Sequence, residues 1–84
     1  MDVLSDRERE VLTAAARGMS VVETGRALYL SPDTVKTYRR HINRHLGARN
    51  MTQAVAVAIT SGLLDPLEAS PAAAKLDGRL RAVG

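Results

Sequence analysis

The sequence predicts an all-α domain of four short helices followed by a short C-terminal tail, and three observations carry that expectation. Residues that cap helix N-termini recur at Ser5, Ser20 and Ser31, and then at Asn50 or Thr52. Glycines stand at Gly18, Gly47 and Gly62, each just past a run with helical apolar spacing, where a helix ends most readily. The 84 residues are 45% hydrophobic, which suits a folded domain, yet Phe and Trp are absent and Tyr occurs twice, so the core must be built from Leu, Val, Ile and Ala. A single domain of this size buries only about 60% of the surface its unfolded chain exposes, and modest stability is expected.

Ser5 and Glu8 form an S-x-x-E pattern, in which each side chain serves a backbone N–H that the first helical turn leaves free. A first helix is expected from about Asp6 to Arg17, with Val11, Leu12 and Ala15 on its apolar side and Leu4 packed before the cap. Ser20 and Glu23 repeat the pattern, and the next cap is Ser31, so the second helix is confined to about Val21–Leu28. Pro32 follows Ser31 at the first helical position, where its missing N–H costs nothing, and a third helix is expected from Pro32 to Leu46. The fourth runs to Thr60, after which Leu63 and Leu64 are expected to fold back onto the bundle. From Asp65 onward Pro66, Pro71 and Ala72 to Ala74 mark a change of composition, dividing the chain into a domain over 1–64 and a linker and tail over 65–84. Ala73, Leu76, Leu80 and Val83 recur at helical spacing, so a short docked or partner-induced helix is the alternative there to a frayed end.

The formal net charge of +3 is unevenly placed. Residues 1–18 set Asp2, Asp6, Glu8 and Glu10 against Arg7, Arg9 and Arg17, a balance of −1, and residues 19–31 and 50–84 each cancel. Residues 32–49 set Lys36, Arg39, Arg40, Arg44 and Arg49 against Asp33 alone, a balance of +4. That is the footprint a polyanionic partner requires, a solvated basic helix face being the plain alternative. Without Cys there is no disulfide, thiol nucleophile, iron-sulfur cluster or Cys-bearing zinc site. No apolar run approaches the roughly 18 residues of a membrane span, and a cytoplasmic, nucleoid-associated protein is expected.

Projected at ~100° per residue, the third helix separates Val35, Tyr38, Ile42 and Leu46 from Lys36, Thr37, Arg40 and Arg44. After Asp33 it contains no acid to relieve its positive face. A helix fits the major groove of DNA, where Arg and Lys reach guanine O6 and N7 and a threonine methyl can touch thymine. Lys36, Thr37 and Arg40 lie in the first turns, where recognition helices meet base edges, whereas Arg39 and Arg44 are better placed for phosphate.

LSDREREVL, GMSVVETGRALYLSPDTVKTYRRHINRHLG and RNMTQAVAVAITSGLL, covering residues 4–64, resemble the consecutive signatures of the LuxR/FixJ/GerE family of bacterial regulators. The resemblance implies a LuxR C-terminal effector-like helix-turn-helix domain that binds double-stranded DNA, regulates transcription and acts as a homodimer. It implies a core including Leu28, Val35, Ile42 and Leu46, and base-reading positions at Lys36, Thr37 and Arg40. Thr34, Arg39, Arg44, His45, Arg49, Asn50 and Thr52 are then expected at the DNA backbone, and Val55, Ala58 and Ile59 at the dimer interface of the fourth helix. Met1 stands close before the first helix, so the chain resembles the stand-alone, GerE-like form, controlled by abundance, dimerisation or a partner such as RNA polymerase or another regulator.

Five positions depart from the family pattern. Thr24-Gly25 replaces a common Ile-Ala pair, Tyr38 a common His, His45 a common Lys and Met51 a common Arg, so weaker DNA affinity is expected. Val21, Val22 and Tyr29 add apolar surface, read either as scattered exposure or as a contact site for another protein. His41 and His45 have a metal-clamping spacing but lack an evident third ligand, and no nucleophile set or phosphate loop points to an enzyme or a cofactor. Two rivals remain: a polymerase-associated promoter binder resembling the last domain of sigma factors, and a protein-interaction module or transcription inhibitor derived from a DNA-binding domain.

Overall fold

The computed structural model of the protein describes residues 4–66. They form four helices in the order α1 (Asp6–Ala16), α2 (Val21–Leu28), α3 (Pro32–Leu46) and α4 (Met51–Thr60). Both capping boxes form. The Ser5 hydroxyl accepts the Glu8 N–H at 3.2 Å while Glu8 Oε1 accepts the Ser5 N–H at 2.9 Å, and Ser20 and Glu23 exchange the same bonds at 3.0 and 2.8 Å. Ser31 caps α3 by accepting the Thr34 N–H at 3.1 Å, with Pro32 in the first turn. Asn50, not Thr52, caps α4: its Oδ1 accepts the Gln53 N–H at 2.9 Å, and Thr52 lies within the first turn. The end of α1 falls at Ala16, one residue earlier than expected, with Arg17 as its C-cap before left-handed Gly18.

α3 packs against all three other helices, and α1 also packs on α2 and α4. The core consists of Leu4, Val11, Leu12, Val35, Ile42, Ala54, Ala58 and Leu64, bordered by half-buried Leu28, Tyr38, Leu46, Val55 and Ile59. Each fully buried large aliphatic side chain among them contributes about 1.5–3 kcal/mol. On α1 it is Ala14 rather than Ala15 that is buried. Leu64 folds back as expected, its N–H and that of Leu63 both reaching the Ala58 carbonyl, at 3.1 and 2.8 Å. The apolar positions expected at Ala73, Leu76, Leu80 and Val83 lie outside the described residues.

The turn between α2 and α3 is the least ordinary part of the chain. Tyr29 closes α2 at φ 58° and ψ 44°, a left-handed conformation that costs an L-residue about 1–2 kcal/mol. The Gly25 carbonyl accepts the N–H groups of both Tyr29 and Leu30. Gly25 itself lies so close to the Leu30 carbonyl that a Cβ would overlap its oxygen. A glycine that lowers helix propensity is therefore required by this tight corner. Its neighbour Thr24 is wholly buried where an apolar anchor was expected, and its hydroxyl has no hydrogen-bond partner.

Candidate nucleic-acid interface

The two faces of α3 separate as its periodicity demands. Val35 and Ile42 are completely buried, Tyr38 and Leu46 are half-buried, and Lys36, Thr37, Arg40, His41 and Arg44 are exposed. The Thr37 hydroxyl donates to the Asp33 carbonyl one turn back, at 3.1 Å. The Thr34 and Ser31 hydroxyls share a 2.8 Å hydrogen bond at the helix start. Among the described residues Lys36, Arg40 and Arg44 have no acidic partner, so the outer face is an uncompensated cationic stripe one helix long. Arg44 and His45 also lie in the last turn, where positive charge is favoured by the helix dipole.

Two cations expected at the DNA backbone also have contacts within the chain. Arg39 is half-buried and donates from Nη2 to the Met19 carbonyl at 3.0 Å, tying α3 to the segment between α1 and α2. Its Nε is buried without a partner, and burial lowers the guanidinium below its ordinary value. Arg39 departs from the outer stripe because it lies on the α1 side of the helix, beside inward-facing Tyr38. His45 is exposed, but its Nδ1 stands 3.5 Å from Oε2 of the buried Glu8 carboxylate on α1. Burial pushes the Glu8 carboxyl up. Hydrogen bonds from Ser5, together with His45 and His41, outweigh that effect and hold it below the ordinary glutamate value.

Arg49, Asn50 and Thr52 are exposed around the N-terminus of α4, with the Arg49 N–H held by Gln53 Oε1 at 2.7 Å. On α4 the expected dimer residues divide. Val55 and Ile59 are half-buried against the core, whereas Ala58 is completely buried in it. Ala54 and Ala58, one turn apart, let α4 approach the chain's own core, a use of small residues that sequence spacing alone does not distinguish from pairing between chains. The outward face carries Gln53, Ala56, Val57, Thr60 and Ser61 around a shallow cleft, none of which was among the expected interface residues. Ala56 and Thr60 lie opposite Ala54 and Ala58 on the helix, with Gln53 and Val57 on its flanks. Val22 is 49% exposed and Tyr29 95% exposed, so the apolar surface noted on α2 and its turn is real for those two, while Val21 packs against the core.

A short helix leading through a tight turn into a longer one, whose inner face is aliphatic and whose outer face is basic, defines the class of helix-turn-helix DNA-binding domains. Comparison with known proteins agrees. The family described as bacterial regulatory proteins, luxR family, matches residues 2–58. The probable transcriptional regulatory protein NarL of Mycobacterium tuberculosis is 44% identical over 63 residues, which cover 75% of this chain and 29% of that protein. The transcriptional activator protein SolR of Ralstonia solanacearum is 40% identical over 62 residues, 74% of this chain and 26% of that protein. The response regulator RamR of Streptomyces coelicolor is 37% identical over 59 residues, 70% of this chain and 29% of that protein. The chain thus belongs to the LuxR family and carries its helix-turn-helix DNA-binding domain, and it spans less than a third of the length of these relatives. Among the described residues no helix is long and apolar enough to cross a membrane.

Proposed function

We propose that the protein regulates transcription by reading double-stranded DNA through the major groove with α3, as a homodimer on two half-sites related by a twofold axis. The observation that carries this reading is the joint outward projection of Lys36, Thr37, Arg40 and Arg44 from a helix anchored by buried Val35 and Ile42. Lys36 and Arg40 supply long donors to guanine edges, and Thr37 lies between them for contact with a thymine methyl. Thr34, Arg44, Arg49, Asn50 and Thr52 contact the backbone; His45 contributes less than a lysine would, because it is shared with Glu8. Arg39 acts in this reading by holding α3 in place.

The dimer forms through the outward face of α4, with Ala56 at its centre, Val57 on one flank and Val55 and Ile59 on the other. These small side chains bury little area, so chains pair on DNA more readily than in free solution. Val57→Arg should keep the fold and abolish cooperative binding to a two-half-site duplex. The relatives, a transcriptional activator and a response regulator among them, support a regulatory role.

The decisive experiment selects duplexes from a random pool with the purified protein and then measures binding to the selected sequence across salt concentrations. If each protomer neutralises about four phosphates, log K falls against log[salt] with a slope of about −3.6 per protomer. A slope near zero, or selection of no sequence, removes the reading. Exposed Val22 and Tyr29 favour one secondary reading, a contact with RNA polymerase or another regulator. Val22→Ser and Tyr29→Ser variants that leave reporter output unchanged would dismiss it.

A further inference from the structure

We propose that Glu8 positions His45 as a proton-controlled contact to the DNA backbone, so that the chain binds DNA more tightly as the pH falls from about 8 to about 6. This regulation acts on the flank of the DNA-facing surface of α3 and rests on the groove reading above.

The Glu8 side chain is only 9% exposed although it lies in the first turn of α1, and its two oxygens are used differently. Oε1 closes the capping box by accepting the Ser5 N–H at 2.9 Å. Oε2 is buried without a hydrogen-bond partner and stands 3.5 Å from His45 Nδ1 on α3. A buried carboxylate oxygen without a donor is costly, and the imidazole beside it can supply one. Burial pushes the Glu8 carboxyl up, but the Ser5 bonds and the two imidazoles hold it below its ordinary value, so it stays an anion where histidines titrate.

That anion fixes what His45 does in each protonation state. Neutral His45 keeps its one proton on Nδ1, facing Oε2, which leaves on Nε2 a lone pair that a phosphate oxygen repels. Protonation places the second proton on Nε2, at the other end of a ring whose side chain is 41% exposed, and turns that edge into a charged donor. His45 lies in the last turn of α3, one turn beyond His41 and on the flank of the stripe formed by Lys36, Arg40 and Arg44. One proton thus switches a backbone contact on, and the carboxylate decides which ring nitrogen receives it.

Among the described residues, α1 faces this contact with Glu8, and α3 itself brings His41 and Arg44, with Arg49 following in the loop. α2 carries Glu23, held by the Ser20 N–H, and Arg26, while α4 has no ionisable side chain from Met51 to Thr60. His41 is therefore the competing imidazole, and its replacement is the control.

The test measures binding of the full chain to its selected duplex at fixed salt across pH, beside proton–nitrogen correlation spectra of the histidines in the free protein. Affinity is expected to rise about tenfold per protomer from about pH 8 to about pH 6, the low end of what one hydrogen bond to a charged group contributes. His45→Lys should hold the acid-side affinity at every pH, His45→Gln should hold the alkaline-side affinity, and His41→Gln should keep the pH dependence. Glu8→Gln should displace the profile to lower pH, because no carboxylate then favours the imidazolium. In the free protein neutral His45 should carry its proton on Nδ1. A flat wild-type profile, or a pH dependence that survives His45→Gln or disappears in His41→Gln, overturns the proposal. Neutral His45 protonated on Nε2 also overturns it, a readout that needs neither DNA nor a variant and holds even if Glu8→Gln fails to fold. Absence of DNA binding at every pH would remove the groove reading and this regulation with it, an outcome distinct from a flat profile in a chain that binds.

Discussion

Replacing Thr24 by valine isolates the cost of one buried hydroxyl. The side chain is fully enclosed on the inner face of α2, and its Oγ1 has no hydrogen-bond partner. Valine keeps the branched shape and the helical rotamer preference while exchanging the hydroxyl for a methyl. A hydroxyl buried without a partner costs about 1–3 kcal/mol on the scale of protein mutational data, and the two residues differ little in helix propensity. Thr24→Val should therefore stabilise the domain by about 1–3 kcal/mol. For a domain of this size each kcal/mol moves the melting midpoint by about 4–8 °C, so a rise between about 4 and about 24 °C is expected. Far-UV circular dichroism is the assay, because the chain contains no tryptophan to report on unfolding. In urea the midpoint should rise with the slope unchanged, which separates greater stability from altered compactness. Thr24→Ser, which keeps the hydroxyl and removes the methyl, should move in the opposite direction. Equal or lower stability of Thr24→Val would refute the reasoning, since it would mean that the hydroxyl is satisfied in solution.

Three further outcomes rest on the geometry. Lys36→Ala and Arg40→Ala should each relax sequence choice at one or two base pairs, at about 1–3 kcal/mol per lost base contact, whereas Arg44→Ala should weaken all sequences alike and lower the salt slope by about 0.9; competition binding with single-base operator variants separates the two. Gly25→Ala should lower the melting midpoint despite alanine's gain of about 1 kcal/mol in helix propensity, because the new Cβ meets the Leu30 carbonyl, and backbone displacement of this kind costs about 1–3 kcal/mol. The Glu8 carboxyl is lowered in the folded protein, so its stabilising contribution is complete above the unfolded value of 4.5 and is lost as pH falls through the folded value. Glu8→Gln should accordingly be less stable at neutral pH and show a shallower loss of stability on acidification below about pH 5, measured by urea melts; Glu23, lowered in the same direction by its bonds to Ser20, keeps the remaining slope from vanishing.

The four helices were legible because each carries its own punctuation. Two Ser-x-x-Glu boxes, a Ser-Pro start and glycine stops are local chemistry, and local chemistry can be read without knowing what packs where. The cationic stripe of α3 was legible for the same reason, since periodicity alone places Lys36 and Arg40 opposite Val35 and Ile42. What could not be read depends on the third dimension. Arg39 and Arg40 are adjacent in sequence, but only packing shows that one reaches the Met19 carbonyl while the other faces outward. Ala56 and Ala58 look equivalent on α4 until the core claims Ala58. The Glu8–His45 contact joins positions far apart in sequence, and neither residue advertises the other.

The corner at Gly25 bears on how recognition helices can be exchanged among relatives. Where the family commonly has alanine, this chain lets a backbone oxygen of the turn rest against the preceding helix, so the pitch at which α3 leaves the corner is fixed by an absent methyl group. Transplanting Lys36, Thr37 and Arg40 alone into an alanine-bearing scaffold would leave behind the corner that, in this chain, an added Cβ would disrupt. A graft intended to carry this protein's specificity should take Thr24 to Leu30 with it.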